Sequence, residues 1–279
     1  RASLSAIHFA GVGVGIVISA VAVSATLASG AGWRSLWIGS GSISILVAVV
    51  AAMLIPAESD VAISSKPVAS HAGPSRIGPM AVAYGLFGFG YVITATFLVA
   101  IVRLTEEVRV LEPWIWILFG LAAIPSVTIW ARLGERIGAM NAFAVACIVE
   151  AVGVAASVEW VTITGVCVSA LLLGGTFMGL TALGFIAARA LSAGNPHQAF
   201  GRMTASFGIG QMVGPTLAGF LSEQLGNFRV ASLIAAGALL AAAALAVRTS
   251  WIVAADAGDA EAFTLPRTAL GRGGRTARR

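Results

Sequence analysis

Charged side chains are scarce in this chain of 279 residues: they make up 10% of it, against about 25% in an average soluble domain. Hydrophobic residues make up 58%, and the mean hydropathy is +0.93. This shortage of charge excludes an ordinary water-soluble domain. Long apolar runs dominate instead, and a chain in lipid must pair its own backbone groups, which an α-helix achieves within one segment.

Cysteine is almost as scarce, with two residues in the whole chain. Cys147 and Cys167 both lie in apolar runs without metal-ligand spacing around them, so we interpret them as small buried residues. No Ser-His-Asp set, paired carboxylates or phosphate-binding glycine loop emerges, and we expect no enzymatic activity, metal or cofactor. The net charge of +5 comes from arginines at the ends of apolar runs, so we expect no nucleic-acid partner.

The apolar runs are long enough to cross a lipid bilayer. A hydrocarbon core of about 30 Å requires about 20 helical residues. The runs are continuous and do not alternate as the strands of a β-barrel do. They predict an all-α fold, a polytopic transmembrane bundle of about eight helices embedded in lipid. We place the spans at 4–28, 34–55, 79–102, 112–132, 138–158, 161–188, 199–222 and 227–247.

Two polar segments interrupt this pattern. Residues 56–78 form a polar loop, and residues 248–279 form a Gly-, Ala- and Arg-rich tail that we expect to be disordered. Eight spans place both termini and the loop on one side, which carries 13 of the 17 basic residues. The positive-inside rule therefore predicts that the loop, the tail and the C-terminus are cytoplasmic. The other side carries Arg34, Arg103, Arg109 and Arg229.

An internal repeat indicates two related halves. Residues 9–15 read FAGVGVG and residues 207–214 read FGIGQMVG. Each motif leads to a short turn with an aromatic-Arg pair and then to another apolar helix. Repeated helix pairs are typical of transporters built from two halves. We therefore assign 79–247 as a six-helix C-terminal half and 1–55 as the last two helices of an N-terminal half. On this interpretation the chain is a fragment without the first four helices.

The loop between the spans at 112–132 and 138–158 resembles a signature of the major facilitator superfamily. Residues 131–138 read ARLGERIG, against Gly-x-Leu-Ala-Asp-Arg-x-Gly. Leu133, Arg136 and Gly138 match, Glu135 replaces Asp, and Ala131 replaces the first Gly. Residues 84–98, YGLFGFGYVITATFL, and 8–15, HFAGVGVG, are similar to the YbfB/YjiJ-like branch of that superfamily.

This resemblance implies a twelve-helix transporter of the bacterial inner membrane, of which about eight helices, the fifth to the twelfth, are present. It implies secondary active transport of a small organic solute by alternating access, coupled to protons or another ion. A membrane-embedded sensor with the same fold and no flux is the alternative. Substrate, direction of transport, coupling ion and oligomeric state stay open.

The span at 79–102 would be the seventh helix, which the resemblance places at a central cavity. Tyr84, Tyr91 and Thr94 recur there at helical spacing and could bind a solute by stacking and hydrogen bonding. Thr176 and Gln211, on two other helices, are further candidates for the substrate pathway. Packing between helices, with tyrosines near a membrane interface, is the alternative for this stripe.

Glu150 is the one acidic residue deep within a predicted span. A charged carboxylate at the middle of a bilayer costs about 2.5–3.5 kcal/mol or more, so this group is expected to be protonated, paired or functional. Proton coupling is one interpretation. A neutral carboxyl bonded to a neighbouring helix is the other, since the ninth helix of the superfamily usually packs outside the cavity.

Two further sets of residues relate to conformational change. Gly214 and Pro215 predict a hinge, because Pro removes a backbone hydrogen bond and Gly permits a bend. A cytoplasmic latch that breaks between two access states is the second prediction, and positive-inside anchoring is its alternative. The latch residues are Arg132, Glu135, Arg136 and Gly138.

Overall fold

The computed structural model describes residues 2–54, 77–192 and 195–264, with side chains between residues 8 and 256 of those ranges. Within them the chain is helical and has no strand. The polar loop lies almost entirely outside the described residues, as does the end of the tail. The helices are α1 (Ala2–Ala28), α2 (Trp33–Leu54), α3 (Ile77–Leu104), a 3₁₀ helix η1 (Glu106–Leu111), α4 (Ile115–Ile137), α5 (Ala139–Glu159), α6 (Ile163–Ala190), α7 (Pro196–Leu225) and α8 (Arg229–Thr264).

The predicted all-α transmembrane bundle is confirmed. Seven helices in the described ranges are long and apolar enough to cross a membrane. The exception is α7, which has 30 residues but carries many polar ones, among them Arg202, Gln211 and Glu223. The span predicted at 199–222 is therefore helical, but it is not apolar enough to be recognised as a span by hydropathy.

Local sequence explains where several helices begin and end. The Thr162 hydroxyl accepts a hydrogen bond from Gly165 N at 3.2 Å and caps the start of α6. Asn195 caps α7 in the same way, accepting from Gln198 N at 3.1 Å. These are the side chains that satisfy the free N–H groups of a first turn. At the other end, α7 stops at Gly226, whose φ of 70° is the left-handed conformation that glycine adopts easily.

The boundary between α8 and the tail differs from the prediction. We expected the helix to end at residue 247 and a disordered tail to start at 248, but α8 continues to Thr264. Thr249 is 2% exposed and donates to the main-chain carbonyl of Leu245 at 2.7 Å, while Ser250 donates to Asn141 of α5 at 2.8 Å. Packing against α5 and the alanines of this segment favour helix over the expected coil.

Helices α3 to α8 pack into one bundle around a common core. Around it, α4 contacts α6, α6 contacts α5, α5 contacts α8, α8 contacts α3, and α3 contacts α7. Helix α1 packs on the outside of this bundle against α4. Helix α2 has no buried residue and makes only a light contact with α1. The antiparallel order gives the bundle two ends, which we call the Gly138 end, between α4 and α5, and the Arg103 end, where α3 meets η1.

Candidate functional site

The predicted stripe on α3 faces the interior of the six-helix bundle. Tyr84 is 2% exposed and Thr94 is fully buried. The Tyr91 ring is half-buried and stacks on Phe177 of α6, with centroids 4.6 Å apart, and on Phe207 of α7 at 6.1 Å. Tyr84 contacts the rings of Phe87, Phe143, Phe185 and Phe207. The two tyrosines thus belong to one aromatic cluster that joins α3, α5, α6 and α7.

Polar groups of neighbouring helices lie close to the two tyrosines. Thr181 of α6 is near the Tyr84 hydroxyl, and Gln211 of α7 is near the Tyr91 hydroxyl. Tyr91 and Gln211, two of the predicted pathway residues, are therefore neighbours. The threonines of α6 bond their own helix: Thr176 donates to the carbonyl of Leu172 at 2.8 Å, and Thr181 donates to that of Phe177 at 3.1 Å.

Glu150 lies at the twelfth position of α5 and is fully buried. At 1.5 Å per residue this is roughly 17 Å from the start of the helix, near the middle of a bilayer. Its carboxyl lies near Tyr91 of α3 and near Cys147 one turn away on α5. Neither carboxyl oxygen has a hydrogen-bond partner among the described groups of the protein. The alternative of a carboxyl bonded to a neighbouring helix therefore finds no support in this part of the chain.

The predicted hinge lies where α7 packs most tightly on α3. A Cβ added to Gly214 would be 2.9 Å from the carbonyl oxygen of Phe89, and one added to Gly210 would collide with that of Gly85. These glycines therefore allow two backbones to approach closely. Pro215 follows directly inside the helix. Close packing is the role that the structure gives to Gly214, and a hinge stays a prediction.

The predicted latch residues sit at the Gly138 end. Arg132, Glu135 and Arg136 are exposed, and no ion pair joins them within the described ranges. Gly138 separates α4 from α5 with a φ of 87°, a conformation that favours glycine. This turn explains why the signature has glycine at position 138. The latch stays a prediction.

A contact between α4 and α6 was not anticipated from the sequence. The Ser126 hydroxyl donates to the carbonyl of Gly175 at 2.7 Å and accepts from Gly179 N at 2.9 Å. In a regular α-helix the Gly175 carbonyl would accept a hydrogen bond from Gly179 N. The Ser126 hydroxyl therefore bridges a carbonyl and an N–H group that belong to one turn of α6. Trp130 Nε1 donates to the same Gly175 carbonyl at 2.8 Å. The sequence signal was one serine and one tryptophan four residues apart, which is too weak to reveal a partner 49 residues away.

The second unanticipated feature is a cavity of about 910 Å³ near the Arg103 end. It lies between α1, the outer face of α3 and the start of α4, and none of the predicted pathway residues lines it. On α3 its wall is formed by Thr96, Val99 and Arg103. The remaining lining residues are Val12, Gly15, Ile16, Ser19, Ala20, Val23, Ser24, Leu27, Arg109, Glu112, Pro113 and Trp116.

Two arginines define the polar end of this cavity. Arg103 Nε donates to Glu112 Oε1 at 2.9 Å, and the same carboxylate oxygen also contacts Arg103 Nη2. Arg109 Nε donates to the main-chain carbonyl of Arg103 at 3.1 Å. No metal-binding group of three or more His, Cys, Asp or Glu side chains occurs in the described part of the chain. The side chains that line the cavity offer hydrogen bonding, ion pairing and apolar contact.

Comparison with protein families accounts for this architecture. A family model described as uncharacterised MFS-type transporter YbfB matches residues 1–247. The chain belongs to this family. The resemblance to the YbfB-like branch of the major facilitator superfamily is thus confirmed. No curated protein matches the chain.

Membership of the YbfB family establishes the broad role of the molecule. It is a multi-pass membrane protein of a transporter family, with the lipid bilayer as its surroundings and a solute as the partner that such a family implies. Three features of its helices stand out in the described ranges: the buried carboxyl of Glu150, the aromatic cluster around Tyr91 and the cavity at the Arg103 end.

Proposed function

We propose that this protein is a secondary active transporter that moves a small organic solute by alternating access and is driven by protons. The observation that carries the proposal is Glu150, a fully buried carboxyl at mid-span in a member of the YbfB family. Neither of its oxygens has a hydrogen-bond partner among the described groups. Within the described ranges, therefore, no hydrogen-bond partner explains why a carboxyl occupies this position.

Glu150 would act by changing its protonation state during the transport cycle. As a charged group at mid-bilayer it costs about 2.5–3.5 kcal/mol or more, and protonation removes most of that cost. A conformation that admits water would allow the proton to leave, and the closed bundle would require it to return. Tyr91, which interacts with Glu150 from α3, would connect this carboxyl to Gln211.

The solute would pass along a pathway formed by Tyr84, Tyr91, Thr94, Thr176 and Gln211. Support comes from the aromatic cluster, in which the Tyr91 ring packs between rings of α6 and α7 and lies near Gln211. Aromatic faces with polar ends bind organic molecules by stacking and hydrogen bonding together. In the described conformation Tyr84 and Thr94 are buried, so the pathway requires α3 and α7 to separate.

Alternating access would arise from movement between two units: α1 and α2, which close the first half, and α3 to α8, which form the second. Gly214 and Pro215 would let α7 bend during that movement. Arg132, Glu135, Arg136 and Gly138 would form a latch in one access state. The Gly138 end and the C-terminus would lie in the cytoplasm, which the excess of basic residues on that side supports. The membrane would be the bacterial inner membrane, as the resemblance to the major facilitator superfamily implies.

The test is solute counterflow in proteoliposomes that contain the native protein. A panel of labelled organic anions, cations and neutral solutes is screened for saturable exchange against the same unlabelled solute, with and without a pH gradient. We expect exchange of at least one solute class and its acceleration by an inward proton gradient. Saturable binding without exchange for every solute would contradict the proposal and would favour a sensor that shares the fold.

A further inference from the structure

We propose that the cavity at the Arg103 end binds an organic monocarboxylate with an apolar body. This inference rests on the proposed transport function and names the substrate class for it. The cavity, at about 910 Å³, falls at the upper end of the range of small-molecule sites, about 300–1,000 Å³. It is therefore large enough for a solute of eight or more non-hydrogen atoms.

The charges that line the cavity favour an anion. Two guanidinium groups and one carboxylate face it, so the lining has a net charge of +1. Glu112 is already occupied by Arg103, with Nε and Oε1 2.9 Å apart. Arg109 uses its Nε on a main-chain carbonyl, and its two Nη groups make no hydrogen bond within the described ranges. A planar guanidinium with both Nη groups free is the donor that pairs best with a carboxylate.

The rest of the wall favours an apolar body attached to that carboxylate. Helix α1 lines the cavity from Val12 to Leu27, a length of roughly 22 Å at 1.5 Å per residue. Ser24 Oγ donates to the carbonyl of Pro113 at 3.4 Å, which places the Leu27 end of α1 beside the start of α4. Val12 lies at the opposite end of that α1 segment, next to Gly13, which packs on Gly120 of α4. The bound molecule would place its charge at Arg109 and its apolar part toward Val12.

Binding can be measured separately from transport. The native protein is placed in phosphatidylcholine nanodiscs, and labelled octanoate, octanol and octylammonium are compared by equilibrium dialysis against empty nanodiscs. We expect saturable binding of octanoate, weaker binding of octanol and none of octylammonium. Arg109→Gln should weaken octanoate binding about tenfold or more, as the loss of a charge-assisted hydrogen bond requires, and leave octanol within about twofold.

Three further variants test the charge at Arg109, the loss of an arginine outside the cavity, and the space inside the cavity. Arg109→Lys keeps the charge and should restore part of the octanoate affinity. Arg34→Gln is the matched control, because Arg34 lies over the Trp33 ring and does not line the cavity. Gly15→Leu should block octanoate and octanol alike, since Gly15 lines the cavity and a Cβ there meets no atom within 4 Å.

Equal octanoate affinity in the wild type and Arg109→Gln would overturn the proposal. So would a phospholipid that native mass spectrometry finds on the wild type and not on Arg109→Gln, because the cavity would then be a lipid site. Failure of this inference and failure of the transport proposal are distinguishable. Counterflow of other solutes without octanoate binding rejects only the substrate class, whereas octanoate binding without counterflow of any solute rejects only transport.

Discussion

Gly13 of α1 lies directly against Gly120 of α4. A Cβ added to Gly13 would be 2.8 Å from the carbonyl oxygen of Gly120 and 2.7 Å from the nitrogen of Ile124. Both neighbours are backbone atoms, so no side chain can move aside to make room. This pair of glycines sets the distance between α1 and the six-helix bundle, and thus one wall of the cavity at the Arg103 end.

Gly13→Ala is therefore expected to destabilise the protein by about 1–3 kcal/mol, the usual cost of forcing an extra methyl into a packed contact. Gly11→Ala is the matched control two residues away, where an added Cβ meets no atom within 4 Å. Denaturant unfolding in detergent micelles compares the two variants. Equal stability of Gly13→Ala and Gly11→Ala would show that α1 does not pack on α4 in this way.

Ser126→Ala tests the serine inserted between Gly175 and Gly179. The variant removes the bridge between a half-buried carbonyl and a buried N–H group, and we expect a loss of about 1–3 kcal/mol in the free energy of unfolding. Ser42→Ala on exposed α2, whose hydroxyl bonds only its own helix at Ile38, should change stability by less than about 0.5 kcal/mol. The same unfolding assay applies, and an unchanged Ser126→Ala variant would contradict the bridge.

Tyr91→Phe separates the ring of Tyr91 from its hydroxyl. The ring stack with Phe177, at 4.6 Å between centroids, is retained, whereas the hydroxyl near Gln211 is lost. Loss of a hydrogen bond from this hydroxyl to the solute, worth about 1 kcal/mol, corresponds to roughly a fivefold rise in the half-saturating solute concentration. Thermal stability in the same preparation should stay close to the wild type. Unaltered transport kinetics would remove Tyr91 from the pathway.

Much of the fold was predictable because it depends on local composition. Apolar runs of about 20 residues must become helices in lipid, wherever they lie in the chain. Two features differ from expectation: α8 extends beyond residue 247, and α7 is more polar than the other spans. Both differences involve polar residues whose surroundings the sequence does not show. Residues such as Thr249 and Gln211 read as polar in isolation, yet their surroundings in the bundle bury or half-bury them.

The candidate sites were less predictable because they depend on which face of a helix meets which neighbour. The sequence marks Tyr84, Tyr91 and Thr94 as one stripe, but only packing shows that this stripe faces the bundle interior while Thr96 and Arg103 face the cavity. Glu150 stands out in the sequence as a carboxyl in an apolar run. That both of its oxygens lack a partner among the described groups is a three-dimensional property.

The most direct test of proton-driven transport through Glu150 is proton movement during solute uptake. Proteoliposomes loaded with a pH-sensitive dye receive a solute that shows counterflow, and the internal pH is followed for the wild type, Glu150→Gln and Glu159→Gln. Glu159, exposed at the end of the same helix and paired with Arg229 at 2.6 Å, is the control. We expect the wild type and Glu159→Gln to move protons with the solute, and Glu150→Gln to exchange solute without moving protons. Solute-coupled proton movement by Glu150→Gln at the wild-type ratio would contradict the account.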